Sequence, residues 1–177
     1  FLDARTQNKW LARDVSDAQL REIVDIMKMG PTSMNQQPMR IVFVRSKAAK
    51  EKLVKHLTPG NVDKTLAAPV TAILGNDMKF YEQLPKVFPH KADAKAMYEG
   101  KPEFAQTHAF RNGTLQGAYF MLAARAIGLD IGGMSGFNNA AVDADFFAGT
   151  DIKSNFLCNV GYGDPAGVMQ RLPRLSF

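Results

Sequence analysis

The amino-acid sequence predicts an α/β or α+β domain with one central sheet. Amphipathic helical segments alternate along the chain with short, continuous runs of apolar residues, and there is no internal repeat or linker. The length agrees, because 177 residues suffice for one sizeable core but would leave two cores small. The hydrophobic share of 46% and the charged share of 22% are those of an ordinary globular protein. We therefore expect residues 1–177 to form a single domain.

The first predicted helix is marked at both ends. Ser16 and Gln19 have the spacing of a capping box, in which each side chain bonds the backbone N–H of the other residue. Gly30 and Pro31 end the helical pattern. The apolar stripe between these ends has the spacing i, i+3, i+4, i+7 and consists of Leu20, Ile23, Val24 and Met27.

Four segments have the apolar, β-branched character of buried strands. They are "MRIVFVR" (39–45), "APVTAILGN" (68–76), a short strand that leads into the glycine-rich turn of "LDIGGMSGF" (129–137), and "KSNFLCNVGYG" (153–163). Shorter helices are predicted over residues 46–57 and 139–148.

The longest predicted helix runs from about residue 103 to residue 127. Gly113 and Gly117 share one of its faces, where each costs about 1 kcal/mol relative to alanine, so we expect another helix or a ligand to come close there. The main buried face is predicted to consist of Phe104, His108, Leu115, Tyr119, Leu122 and Ile127.

Composition and charge narrow the class of protein. The net charge of +5 is spread over the chain and lacks the dense basic stripe with exposed aromatics of a nucleic-acid interface, so we expect no nucleic acid. No run of some 18 apolar residues is present, which predicts no membrane span. The single cysteine, Cys158, is interpreted as a small buried hydrophobe and fits a reducing, cytoplasmic location. The first residues do not resemble a signal peptide, and the missing initiator Met suggests that a few residues precede Phe1.

Several motifs of known chemistry are incomplete. "GMSGF" begins like a nucleophile elbow, but Phe137 stands where that motif requires glycine. The three histidines have no indicated acidic partner and lack metal-ligand spacing. "GYGDPAG" is not the phosphate-binding turn of a Rossmann fold, because it follows a strand but meets Pro165 instead of opening a helix.

The stretch "GPTSMNQQP" (30–38), called the signature loop below, carries more polar side chains than a helix stop needs. Ser33, Asn35 and Gln37 offer short donors and acceptors that suit the edge of a flat heterocycle with alternating C=O and N–H groups. In isolation the same stretch would be interpreted as a polar turn. The stretches that accompany it favour the binding interpretation.

Taken together, these stretches resemble the nitroreductase family of FMN-dependent flavoproteins. The family's P-[ST]-S-x-N-x-Q-P signature is present at residues 31–38, and "ARTQNKW" is similar to its opening segment. "NVDK" matches its N-x-x-K motif, "GGMSGF" stands in the place of its P-x-x-G-F turn, and "RLPR" in that of its basic C-terminal motif. Each motif is weak alone, but their common order along nearly the whole chain is specific.

The resemblance implies an α+β fold: a central, mostly antiparallel sheet flanked by helices, in an intertwined homodimer with FMN at the interface. It also implies NADH or NADPH as electron donor, a small-molecule acceptor and ping-pong hydride transfer through flavin N5. Stretches such as "MKMGPTSMNQQPMRIVF" and "FRNGTLQGAY" look like the branch that reduces malonic semialdehyde to 3-hydroxypropionate in pyrimidine degradation. The alternatives are a broad nitro- or quinone-reducing enzyme and a non-enzymatic flavin-binding protein.

The resemblance also assigns residues to parts of the cofactor. For the phosphate these are Arg5, Thr6, Arg171 and Arg174, and for the pyrimidine edge Asn8, Asn61 and Lys64. A backbone N–H for flavin N5 is expected from the turn of Met134, Ser135 and Gly136. The partner subunit is expected to supply Pro31, Thr32, Ser33, Asn35 and Gln37. No side chain is assigned as catalytic, since the chemistry takes place on the flavin; Ser33, Tyr81 and His90 are candidate proton donors.

The chain departs from the family pattern at Ala4, Asn8, Met39 and Ser135. Ala4 replaces the first arginine of the opening motif and Asn8 its second cation, which predicts less positive charge near the pyrimidine edge. The segment 83–93 is either a lid over the pocket or a variable surface excursion. In the first case Lys86, Lys91 or Arg111 could meet a substrate carboxylate.

Overall fold

The computed structural model describes residues 2–91 and 93–177, and it contains a four-stranded sheet of order β1-β2-β4-β3. Each neighbouring pair is antiparallel, with Val42 opposite Ile73 and Ile73 opposite Leu157. The strands are β1 (Met39–Val44), β2 (Val70–Asp77), β3 (Asp130–Met134) and β4 (Ile152–Gly161). All four predicted strands are therefore present, and the class is α+β.

Six helices surround this sheet in the described residues. They are α1 (Asp17–Met27), α2 (Lys47–Val54), α3 (Pro59–Ala67), α4 (Leu84–Val87), α5 (Pro102–Ala126) and α6 (Asn139–Phe146). The predicted capping box opens α1: the Gln19 backbone N–H donates to Ser16 Oγ at 3.2 Å, and the Ser16 N–H donates to Gln19 Oε1 at 3.0 Å. The sequence analysis missed α3, which "PGNVDKTLA" forms with a proline in its first turn.

The two faces of the sheet carry separate cores because side chains alternate along each strand. On β2, Ala72 and Leu74 face α1 and α5, where the core includes Ile23 and Phe120. Ile73 faces the other side, where its core includes Val142 of α6. The domain therefore has three layers, with the sheet in the middle.

A third core lies outside these layers, in a segment called the cap below (residues 78–101, apart from Ala92). Two short 3₁₀ turns and α4 place Phe80, Leu84 and Tyr98 together, fully buried, against Ala105 and Ala109 of α5. Ala92 of the predicted 83–93 segment lies outside the described residues. The rest of the segment has a packed interior, which an exposed surface excursion would lack.

The predicted buried face of α5 is wrong. Phe104, Leu115 and Tyr119 are 43%, 47% and 38% exposed, whereas the face toward the sheet consists mostly of small and amide side chains, together with Phe120. That buried face includes Ala109, Asn112, Gly113, Gln116, Gly117, Phe120, Ala123 and Ala124. Small residues dominate this face because the helix lies very close to the strands at Gly113 and Gly117. Phe104, Leu115 and Tyr119 point outward instead.

Both internal glycines of α5 touch the sheet, where a helix or a ligand was expected. A Cβ atom at Gly113 would lie 1.8 Å from Asn76 Oδ1 of β2, and one at Gly117 would lie 2.6 Å from the Phe156 ring of β4. Both distances are far inside van der Waals contact, so these glycines set the spacing between helix and sheet.

Gly113→Ala is expected to lower the free energy of unfolding by about 2 kcal/mol, because the overpacking of a tight contact exceeds the roughly 1 kcal/mol gained in helix propensity. Gly60→Ala in α3 is the matched control, since a Cβ atom there meets nothing within 4 Å. Urea unfolding of both variants provides the measurement. A Gly113→Ala protein as stable as the Gly60→Ala protein would contradict the close packing.

Candidate functional site

A cleft of about 410 Å³ lies between the N-terminal segment and the C-terminal tail. Four arginines line it, and no acidic side chain is among its lining residues, which are Ala4, Arg5, Thr6, Asn8, Arg125, Met169, Gln170, Arg171, Leu172 and Arg174. Guanidinium groups bind carboxylates and phosphates in bidentate fashion. The cleft, called the arginine cleft below, is therefore suited to an anion.

The structure brings together all the residues predicted for the phosphate, although they come from opposite ends of the chain. The Arg5 side chain donates to the Met169 carbonyl, and Arg171 Nη2 donates to the carbonyls of Leu2 at 2.5 Å and Ala4 at 3.4 Å. The two termini thus hold each other through their own arginines. The tail contacts the N-terminal segment through these arginines, whereas its apolar residues Leu172, Leu175 and Phe177 are exposed.

Arg125 also lines this cleft, and the sequence analysis missed it. It sits in the last turn of α5, and its guanidinium group forms no hydrogen bond or ion pair within residues 2–91 and 93–177. The sequence alone did not indicate this role, because Arg125 reaches the cleft through the direction of α5, which depends on the fold.

The N-terminal segment runs from the arginine cleft toward the glycine-rich turn. Thr6 forms a parallel bridge with Ile131, and the Gln7 N–H donates to the Ile131 carbonyl at 2.9 Å. Strand β3 then continues to Met134, which is buried, so its side chain faces the core. Of the predicted turn residues, Ser135 is exposed and Gly136 half-buried.

The Gly136 carbonyl fixes this turn onto the start of α3. It accepts hydrogen bonds from the Thr58 N–H at 2.9 Å, Thr58 Oγ1 at 3.0 Å and Asn61 Nδ2 at 3.0 Å. A Cβ atom at Gly136 would lie 2.5 Å from Thr58 Oγ1, so only glycine fits. Asn61 of the N-x-x-K motif is thereby held beside the turn that the sequence analysis assigned to flavin N5.

Lys64, the other residue of that motif, lies one turn further along α3. Its backbone carbonyl accepts from Trp10 Nε1 at 3.1 Å and from Asn159 Nδ2 at 3.3 Å, which ties it to the N-terminal segment and to β4. The side chain is half-buried, and burial lowers the pKa of its ammonium group. Lys64 thus lies with Asn61 on the α3 side of the site.

A second lysine supports the end of the same helix. Lys50 of α2 is buried, and its Nζ donates to the Thr65 carbonyl at 3.0 Å. A cation is favourable at a helix C-terminus, whereas burial lowers the pKa of Lys50 to about 8. This contact helps to fix the backbone that carries Lys64.

The signature loop lies against the middle of α5. Its Ser33 N–H donates to Asn112 Oδ1 at 2.8 Å, whereas Asn35 Nδ2 donates to the Val87 carbonyl of the cap at 2.7 Å. Gln37 Nε2 donates to Asn35 Oδ1 at 2.8 Å. Pro31, Ser33 and Asn35 are exposed, and Thr32 is half-buried.

Two separate groups of predicted residues therefore exist on one chain. Asn112 and Arg125 are about 20 Å apart along α5 at about 1.5 Å per residue. Among the hydrogen bonds of residues 2–91 and 93–177, none joins the signature loop to the arginine cleft or to α3. The signature loop and the arginine cleft of one chain thus contact α5 at different levels.

The surroundings of His56 were not predicted from the sequence, whereas those of Cys158 were. His56 has an acidic partner after all: its Nε2 lies 2.7 Å from Asp145 Oδ2, and this hydrogen bond lowers the pKa of Asp145. The pair joins the end of α2 to α6, and no serine hydroxyl bonds His56 in the described part of the chain. Cys158 is fully buried, as predicted, and burial raises the pKa of its thiol to about 12.

The fold and the cleft together define an α+β protein with an arginine-lined cleft between its termini. The family model of the nitroreductase family matches residues 4–162 of this sequence. The chain belongs to the nitroreductase family.

Close relatives share almost the whole length of the chain. A protein of Ralstonia pickettii with the provisional name NADH dehydrogenase/NAD(P)H nitroreductase HadB is 63% identical over 179 residues, which cover 100% of this chain and 91% of that protein. A protein of Cupriavidus pinatubonensis with the same provisional activity is 60% identical over 179 residues, with the same coverage.

Solved structures show the same fold at much lower identity. A nitroreductase-type protein of Bacillus subtilis superposes with a TM-score of 0.89 at 22% identity, over 99% of this chain and 92% of that one. A second, from Exiguobacterium sibiricum, was crystallised in complex with FMN; it has a TM-score of 0.84 at 22% identity, over 96% of this chain and 90% of that one. No helix in residues 2–91 and 93–177 is long and apolar enough to cross a membrane.

Proposed function

We propose that this protein is an FMN-dependent NAD(P)H oxidoreductase whose acceptor is malonic semialdehyde, which it reduces to 3-hydroxypropionate. The observation that carries the flavoenzyme proposal is the arginine cleft. Four guanidinium groups converge at the end of a segment that also contacts α3 and β3, the strand that leads into the glycine-rich turn. Membership of the nitroreductase family and the NAD(P)H named in the relatives support the electron donor.

The residues present fit FMN at its phosphate end. A phosphate monoester carries close to two negative charges at neutral pH, and the arginine cleft supplies guanidinium groups from three parts of the chain without an opposing carboxylate. Thr6 and Asn8 add neutral donors. When bound, FMN would take two electrons and a proton equivalent from NAD(P)H and pass them to the acceptor.

The chain's own residues would orient that cofactor and adjust its electronics. Lys64 would place a cation at the pyrimidine edge, where the reduced ring carries negative charge, and so favour the reduced form. Asn61 would present its amide beside Lys64, and the Ser135–Gly136 backbone, fixed by Thr58, would present an N–H to the middle of the ring.

The choice of malonic semialdehyde is supported by the branch that the sequence resembles. This acceptor carries a carboxylate, and Lys86, Lys91 and Arg111 are exposed basic candidates for it. The relatives' provisional names favour a second candidate in the same class, a nitro- or quinone-reducing enzyme. A flavin-binding protein without turnover is the third candidate.

The outward face of α5 supports a homodimer with the cofactor between subunits. Phe104, Leu115 and Tyr119 form an exposed stripe, and Tyr119 also lines an apolar groove of about 560 Å³ that includes Ile26 and Leu122. Large contiguous apolar surfaces mark association sites. In a two-fold arrangement, the signature loop of one copy would reach the arginine cleft side of the other, which resolves the separation of about 20 Å along α5.

Anaerobic spectroscopy of the purified protein tests the proposed function. We expect a yellow protein that bleaches with NADH or NADPH and regains its colour when malonic semialdehyde is added. A nitroaromatic compound and a quinone serve as competing acceptors. If the colour returns only with the nitroaromatic compound or the quinone, the protein is a nitro- or quinone-reducing enzyme. If neither NADH nor NADPH bleaches the yellow protein, it is a flavin-binding protein without turnover. A colourless protein that takes up no FMN would overturn the proposal.

Arg125→Ala is expected to weaken FMN binding about tenfold to a hundredfold, because a hydrogen bond to a charged group is lost. The fold should survive, since the guanidinium group has no partner within the described residues. Arg21→Ala, an exposed arginine on α1, is the control. Fluorescence titration of the apoprotein gives the dissociation constants. Equal constants for both variants would remove Arg125 from the phosphate site.

Leu115→Glu is expected to convert the dimer into monomers, because it places a charge in the apolar stripe. Leu66→Glu on α3 is the matched control, with an exposed fraction of 45% against 47% for Leu115. Sedimentation equilibrium measures the mass, and retained FMN is read from the spectrum. A Leu115→Glu protein that stays dimeric would place the interface elsewhere.

A further inference from the structure

The signature loop adopts an unusual backbone. Met34, Asn35 and Gln37 have φ values of 52°, 50° and 43°, in the left-handed region that non-glycine residues rarely occupy. Strained conformations of this kind persist only where the surrounding structure over-determines them. The side chains that hold this loop are therefore part of how the site is built.

A buried amide pair holds the loop on α5. Gln36 and Asn112 are each 1% exposed, and Asn112 Nδ2 donates to Gln36 Oε1 at 2.9 Å. The same Asn112 accepts from the Ser33 N–H through its Oδ1 at 2.8 Å. Both ends of the strained stretch are thus fixed by one asparagine, directly at Ser33 and through Gln36.

The other end of Gln36 reaches the cap. Its Nε2 donates to Tyr98 OH at 2.5 Å and lies 3.3 Å from His108 Nδ1. The contact with His108 is a hydrogen bond only when Nδ1 carries no proton, and burial together with the positive charge of Arg111 lowers the pKa of that imidazole, which favours the neutral ring. The four side chains of Gln36, Asn112, Tyr98 and His108 are called the amide network below.

Tyr98 belongs both to the cap core and to the amide network. Its ring is 1% exposed and forms the centre of the cap core, with the Phe80 ring centroid at 5.0 Å and that of Phe104 at 5.4 Å. Its hydroxyl is the cap's contribution to the amide network. Asn35 adds a second link through the Val87 carbonyl, so the cap and the loop are joined at two successive residues, Asn35 and Gln36.

We infer that Gln36 is a positioning residue that fixes the signature loop and couples it to the cap, so that the two form a single rigid wall of the site. Gln36 faces inward, while its neighbours Ser33, Asn35 and Gln37 are the predicted contacts to the flavin of the other subunit. The inference rests on the proposed function for its effect on FMN, and on the structure alone for the coupling. It excludes a cap that opens as a hinged lid independently of the loop.

Two substitutions interrupt the amide network in different ways. Gln36→Leu keeps a similar volume and removes every polar contact, and Tyr98→Phe keeps the cap core and removes only the hydroxyl. Val142→Ala is the control, because it removes buried methyl groups from the opposite core and should lower global stability without touching the loop.

Amide hydrogen exchange of the apoprotein reads the coupling. In Gln36→Leu and Tyr98→Phe we expect exchange to be faster, about fivefold or more, in residues 30–38 and 94–101 together. In Val142→Ala both segments should stay within about twofold of the wild type. Faster exchange in the loop with an unchanged cap would overturn the coupling, as would equal changes in the control.

The dissociation constant of FMN reads the positioning role. It should rise about tenfold in Gln36→Leu, which corresponds to a loss of about 1.4 kcal/mol, and remain unchanged in Val142→Ala. A similar rise in the control would mean a global effect and would remove the positioning role. If the wild type binds no FMN, the proposed function fails, while hydrogen exchange still decides the coupling. Tyr98→Phe keeps the test decisive should Gln36→Leu fail to fold.

Discussion

The close contact between the small-residue face of α5 and the sheet determines the rest of this structure. Gly113 lies against Asn76 and Gly117 against Phe156, at distances that leave no room for a Cβ atom. Glycine, alanine and amide residues occupy most of the buried face, and large apolar residues such as Leu115 and Tyr119 lie on the outer face, although Phe120 is buried. The same contact sets the helix direction, so that Asn112 meets the signature loop and Arg125 meets the termini. One packing constraint thereby locates two halves of a site and the surface that would join them.

The strands and the capped first helix were predictable because their signals are local. Continuous apolar runs produced all four strands within a few residues, and the Ser16–Gln19 capping box is present as predicted. The buried face of α5 was not predictable from hydrophobicity, because a helix that packs closely on a sheet buries glycine, alanine and amides. Helix α3 was missed because "PGNVDK" starts with turn residues, and its helical state depends on contacts to α2, β4 and the glycine-rich turn.

The candidate site shows the same division. The residues assigned to the phosphate by resemblance lie together in the arginine cleft. Motifs near both ends of the chain, in the order typical of the family, were enough to predict this convergence. Arg125 and the amide network could not be found in that way. Gln36 stands at a variable position of the signature, and Asn112 and Tyr98 are far from it in sequence. The polar groups of the amide network are buried and need hydrogen-bond partners, and these partners come together only in the tertiary structure.

The arginine cleft also has a consequence for the two chain ends. Four guanidinium groups in about 410 Å³ repel one another, and backbone carbonyls of the termini compensate them in part. An anion in the cleft would act as a counter-ion and replace this repulsion by attraction. Anion binding and the docking of the two termini would then favour each other by linkage. The cofactor's phosphate would then be a structural component of the fold, serving as an electrostatic clasp between the beginning and the end of the chain.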